Sequence, residues 1–188
     1  MIQGNLLIAF FLLNISIMKI FLISFILLIL PNWLIAQNSE FVEDSGTTKI
    51  ILVRHAEKEN DGSKDPSLSA EGQKRAEKLN EFLSDTKIDG LYATPYKRTL
   101  ETLKVISENQ ELKIQDYNPS DTSFCESLLE KEQGKTVVIA GHSNTVPFLV
   151  NCLIQSETYS QLPESEFGKI WILIFQDEKL IDCSVYNY

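Results

Sequence analysis

An α/β domain, a three-layer sandwich in which a mostly parallel sheet carries helices on both faces, is predicted by three features of the sequence. Lys49–Arg54 (KIILVR) and Thr136–Ala140 (TVVIA) are short continuous apolar runs, the composition of strands buried on both faces. Segments of helical spacing lie between such runs, and strand–helix alternation builds parallel sheets. Residues 37–188 are also enough chain for one proper core.

The elements follow in order. Lys49–Arg54 is the first strand, and Ser69–Leu83 is a helix on Ala76, Leu79, Phe82 and Leu83. Gly90–Ala93 is a second strand, and Tyr96–Ser107 a second helix with Leu100, Leu103 and Ile106. Glu111–Gln115 is a weaker third strand. Asp121–Gln133 is helical, with Ser120 or Asp121 as its N-cap. Thr136–Ala140 is the strongest strand, and a helix runs from Thr145 to Gln155. Lys169–Phe175 and Lys179–Val185 flank Asp177-Glu178 and form a closing hairpin. No internal repeat is visible.

Charge divides the chain. The 188 residues are 44% hydrophobic and 23% charged, but residues 1–36 hold a single charge, Lys19. All 26 acidic residues lie beyond Gln37; with Lys19 set aside, 16 basic residues face them, a net of −10 over 152 residues. Such a body is repelled by phosphate backbones, which excludes general nucleic-acid binding. A site for an anion must then be built locally.

Residues 1–36 read as a signal peptide. Met18-Lys19, the apolar run Ile20–Leu30, Pro31 and Ala36 supply a basic start, a core and a small residue for cleavage. Met18 is a candidate true start. The alternative is a membrane anchor formed by the same 36 residues, with Lys19 badly placed inside it. Residues 37–48 are a polar linker, and 49–188 the domain. The expected location is periplasmic or extracellular, with membrane contact only through an uncleaved N-terminal segment. Of the three cysteines, Cys152 reads as core packing in Val146–Ile154; a bridge between Cys125 and Cys183 is left open.

The two histidines occupy equivalent places: His55 follows IILVR and His142 follows VVIAG. Each stands where a buried strand ends, and ligands of open α/β sheets bind at the carboxyl ends of strands. Of three arginines, Arg54 abuts His55 and Arg98 follows Ala93-Thr94-Pro95. Guanidinium groups match phosphate oxygens bidentately, and helix N-termini near Thr94 or Ser143 add N–H donors. A neutral imidazole can carry a phosphoryl group covalently; a second, protonated one can stabilise its charge. Thr94 either donates to phosphate or shapes its turn, and Asn144 either touches substrate or caps the following helix. Glu57 has at most an orienting role, and Arg75 belongs to a solvated helix face. No metal is expected, because two arginines would oppose a dication.

These segments resemble the histidine phosphatase superfamily, branch 1, of phosphoglycerate-mutase-like fold. The matching blocks are Arg54-His55-Ala56-Glu57, Leu68–Gln73 (LSAEGQ), Thr94–Thr99 (TPYKRT) and Gly141-His142-Ser143, in the family's order. The resemblance implies His55 as phosphorylated nucleophile, Arg54, Arg98 and His142 as the phosphate pocket, and no cofactor. Family members often carry an acidic proton donor in an insertion after the third strand. Here that region is only Asp116–Asp121, so Asp116 and Asp121 are the candidates, and Asp121 is equally a helix cap. The compact size is similar to the short phosphohistidine phosphatases and small exported members.

The expected function is therefore an exported, metal-independent phosphatase acting on a small phosphorylated substrate or a phosphoprotein. The alternatives are a non-catalytic phospholigand-binding envelope protein and a phosphohistidine-protein phosphatase.

Overall fold

The computed structural model describes residues 46–188. The expected signal peptide and most of the linker lie outside the described residues. Six strands, β1 (Thr48–Arg54), β2 (Gly90–Ala93), β3 (Ile114–Asp116), β4 (Thr136–Gly141), β5 (Lys169–Gln176) and β6 (Lys179–Asn187), form one sheet in the order β3-β2-β4-β1-β5-β6. β1 to β4 are mutually parallel, and the β5–β6 hairpin adds antiparallel to β1. The four helices of the described residues are α1 (Ala70–Phe82), α2 (Lys97–Asn109), α3 (Thr122–Lys131) and α4 (Thr145–Ile154).

The continuous apolar runs are explained by two cores. Ile50, Leu52, Val137, Ile139 and Leu173 face α3 and α4, while Ile51, Val53, Val138, Ala140 and Ile170 face α1 and α2. Alternating side chains of one strand are thus buried on opposite faces. Each fully buried aliphatic side chain contributes about 1.5–3 kcal/mol of transfer free energy.

β3 is shorter than Glu111–Gln115, because α2 runs on to Asn109 and Glu111 turns the chain with φ 55°, which delays the strand to Ile114. Cys152 is not a free core thiol. It is bridged to Cys125, tying α3 to α4 with Cα atoms 6.5 Å apart, and Cys183 is the free cysteine. Arg75 is not on a solvated face: it grips Glu57 through Nε at 2.9 and 2.8 Å and Nη2 at 2.6 Å. Gly72, in the second sequence block, is required by close approach. A Cβ there would lie 2.0 Å from the Glu57 carbonyl oxygen, so α1 can pack against the His55 loop only through a glycine.

Candidate active site

β1 and β4 are neighbours, and their register sets Arg54 beside Gly141. The His55 N–H donates to the Gly141 carbonyl at 2.8 Å, so the residues after each strand, His55 and His142, emerge side by side. Their rings meet edge to face with centroids 5.3 Å apart. β2 lies on the far side of β4, with Ala93 opposite Ala140, which delivers Thr94 to the same edge. Gly141 has no room for a side chain: a Cβ would fall 2.8 Å from both Thr145 Oγ1 and Tyr117 Oη.

Arg54, His55, Arg98, His142, Ser143 and Asn144 line one pocket of about 260 Å³, together with Lys58, Lys64, Pro66 and Glu164. His55 Nδ1 lies 2.7 Å from the Ala56 carbonyl oxygen, an acceptor only. Nδ1 therefore carries the proton, and the Nε2 lone pair is free. Burial, with His142, Arg98 and Arg54 adding to it, pushes the His55 pKa down to about 3. His142 is pushed down to about 4 by burial, then by Arg98 and Arg54. The site thus holds two neutral imidazoles at neutral pH, not one neutral and one protonated, because burial, and after it the two guanidinium groups, disfavours a further positive charge.

Arg54 is nearly fully buried. Its Nη1 donates to the carbonyls of Pro163, Glu164 and Glu166 at 2.8, 3.2 and 2.9 Å, and its guanidinium lies 4.1 Å from the centre of the Phe167 ring. Nη2 donates to Glu164 Oε2 at 3.0 Å. Nε is buried without a hydrogen-bond partner. Arg98 stacks on Tyr96 with its guanidinium 4.5 Å from the ring centre, and its Nη2 approaches His142 Nδ1 at 3.4 Å.

The remaining candidate residues divide between the pocket and contacts elsewhere. Thr94 is fully buried and does not line the pocket; its hydroxyl lies 2.9 Å from His142 Nε2 and 3.1 Å from Thr99 Oγ1. It positions His142 and has no face for phosphate. Asn144 precedes α4 but makes no side-chain cap, so its amide is left facing the pocket. Asp121 caps α3, accepting from the Ser123 N–H at 3.0 Å and hydroxyl at 2.7 Å, which turns it toward its own helix. Asp116 ends β3 and lines a separate cleft with Tyr96, Tyr117 and Asn118. Neither aspartate reaches the His55 pocket. The carboxylate there is Glu164, from the loop before β5, and no spacing signal in the sequence links it to Arg54 across 110 residues. The α2 N-terminus is not a free anion site, since the Lys97 N–H donates to Asp65 Oδ1 at 3.0 Å. Among the described residues no cluster of three or more His, Cys, Asp or Glu side chains could hold a metal.

Residues 50–118 match the model of the histidine phosphatase superfamily (branch 1). Phosphoserine phosphatase 1 of Hydrogenobacter thermophilus is 42% identical over 72 residues, which are 35% of this chain and 34% of that protein. The chain thus matches about a third of that relative's length. The fold is similar to that of a mycobacterial glucosyl-3-phosphoglycerate phosphatase, with TM-score 0.60, 13% identity, and 76% of this chain and 98% of that one covered. It is similar also to the protein histidine phosphatase SixA complexed with tungstate, with TM-score 0.58, 14% identity and 72% and 94% coverage. The ordered sequence blocks and the matched residues 50–118 are similar to the histidine phosphatase superfamily (branch 1), and the solved structures share the fold.

Proposed function

We propose that this protein is a metal-independent phosphatase that works through a phosphohistidine on His55. The observation that carries the reading is the His55 ring, its Nδ1 proton held by the Ala56 carbonyl and its Nε2 free, between His142, Arg54 and Arg98 in one pocket. Nε2 attacks phosphorus, and the bond to the leaving oxygen breaks with its electron pair going to that oxygen, which takes a proton from water in the pocket. Water then attacks the phosphoryl group, and the N–P bond breaks with its electron pair returning to Nε2. The proton lost by the attacking water neutralises the hydroxide left by the first step, and inorganic phosphate leaves with His55 neutral again. Arg98 and Arg54, which both line the pocket, are the cationic groups for the transferring oxygens. His142, next to Arg98, approaches its protonated form when a dianion offsets the arginines.

Asp116 and Asp121 lie outside the pocket, and Glu164 is engaged with Arg54. This favours substrates with good leaving groups: phosphohistidine, acyl or aryl phosphates. An exported location is supported by the composition of residues 1–36 and accords with the Cys125–Cys152 bridge.

The test is phosphate release from an aryl phosphate with EDTA present, by the wild type and by His55→Ala, alongside phosphoserine and a simple alkyl phosphate. Turnover that survives EDTA, disappears in His55→Ala and favours the aryl substrate is expected. Activity lost to EDTA, or retained by His55→Ala, would overturn the mechanism. A folded protein that binds phosphate without turning anything over would point to the phospholigand-binding alternative.

A further inference from the structure

The described part of the molecule has seven large hydrophobic side chains that are exposed, and five gather at one edge of the sheet. Leu180, Ile181, Val185 and Tyr186 belong to β6, the edge strand, and the Phe82 ring at the end of α1 lies 6.5 Å from Tyr186. Nine-residue β6 carries no proline, and its charges are one Lys179 and one Asp182. A long, neutral and largely apolar edge is what monomeric sheet proteins avoid.

The strand is also self-complementary. The Tyr188 N–H donates inward to the Gly168 carbonyl at 3.0 Å, so by alternation Cys183 and Val185 turn their N–H and C=O groups outward. Outward-facing residues of an antiparallel pair must meet outward-facing residues. A two-fold axis through Cys183 satisfies this. It sets Cys183 against its own copy, Ile181 opposite Val185, Leu180 opposite Tyr186, Asp182 opposite Ser184, and Lys179 opposite Asn187. Apolar meets apolar, and no charge faces its like. Shifting the register by one two-residue step puts Ile181 against Asn187 and loses the match. The one bulge in the hairpin falls at Ile181, which is 63% exposed, and Asp182–Tyr186 remain regular. On a body this acidic, the neutral strand is also where two copies repel each other least.

We infer that β6 pairs antiparallel with β6 of a second copy of this chain about an axis at Cys183, joining the two sheets into one. The pairing is isologous and closes as a dimer. It lies across β5 from the strand ends that carry the histidines, so the inference does not rest on the proposed phosphatase reading.

Because Cys125 and Cys152 are bridged, Cys183 is the one free thiol, and it reports the axis directly. The full chain, in a non-ionic detergent that keeps its apolar N-terminal segment from aggregating, is treated with diamide. Diamide takes two electrons and two protons from a pair of thiols as the disulfide forms. At roughly tens of micromolar chain, Cys183 is expected to yield a covalent dimer on a non-reducing gel, and Ile181→Glu/Val185→Glu to lower the yield by about tenfold or more. Circular dichroism of that variant checks that it is folded, and Tyr186→Lys serves if it is not. In a Cys183→Ser background, Ile181→Cys or Val185→Cys alone is expected not to cross-link, whereas the two together do. No Cys183 cross-link in the wild type, whether the edge is free or covered by the N-terminal segment, would overturn the inference. So would single cysteines that cross-link as well as the pair, or ladders beyond the dimer.

Discussion

The Thr94 hydroxyl stands 2.9 Å from His142 Nε2, inside the sheet edge and sealed from solvent. It is placed there by the Ala93–Ala140 register of β2 and β4, and it is held by Thr99, whose own hydroxyl donates to the Thr94 carbonyl at 2.7 Å. The relay fixes the plane of the His142 ring from behind while Arg98 meets its other nitrogen.

Thr94→Val keeps the shape and deletes the hydroxyl. A hydrogen bond to a group that gains charge in the reaction is worth about 1.5–3 kcal/mol, so kcat/KM is expected to fall about 10- to 100-fold. Thr94→Ser should restore most of it. Steady-state kinetics on an aryl phosphate measures this. A change in folding stability with no change in kcat would show that the hydroxyl serves packing alone.

Stability should depend on pH through the two imidazoles. Both folded-state pKa values, about 3 and about 4, lie below the ordinary 6.5, so between those limits the unfolded chain binds protons that the folded chain does not. Stability then rises with pH and is lost on acidification from about pH 6.5 downward, by about 2 kcal/mol per histidine at pH 5. Thermal melts of the wild type and of His55→Gln/His142→Gln check it. The variant should show a flatter slope between pH 6.5 and 5.

Glu164 competes with anions for Arg54. Its carboxylate occupies Nη2 while its side chain stays largely exposed, so displacement is cheap and the coupling small. With Glu164 exposed, though Arg54 is buried, the pair is worth about 1 kcal/mol, and Glu164→Gln is expected to tighten competitive inhibition by inorganic phosphate about threefold to fivefold. Inhibition constants in the two proteins decide the matter; weaker phosphate inhibition in Glu164→Gln would show that the carboxylate supports the anion site.

The Cys125–Cys152 bridge closes a separation of 27 residues between two helices of one core. Loop-closure entropy gives it about 3.5 kcal/mol. Reduction, or Cys125→Ser/Cys152→Ser, should lower the denaturant midpoint accordingly, while Cys183→Ser should leave it unchanged. Equal effects from Cys183→Ser would assign the pairing differently.

Much of this protein is written locally. The runs IILVR and VVIAG declare two buried strands ending in Arg54-His55 and Gly141-His142, and in a parallel α/β sheet strand ends share one edge. Strand–helix alternation, the positions of α1 and α4, and the hairpin around Asp177-Glu178 were legible because each depends on side-chain periodicity within a few residues. The tertiary structure alone decided the contacts made across long separations. Strand order placed β1 beside β4 and so joined the histidines. Glu164 reached Arg54, Arg75 turned inward to Glu57, and Cys152 met Cys125 instead of leaving Cys125 to Cys183. Thr94 was taken by the imidazole behind which its strand ended, whereas the Asp121 cap is a two-residue contact that the sequence already offered. A sequence states which groups can ionise, pair or cap. Which partner each receives depends on the register and packing of elements far apart in the chain, and that selection is made only when the cores close.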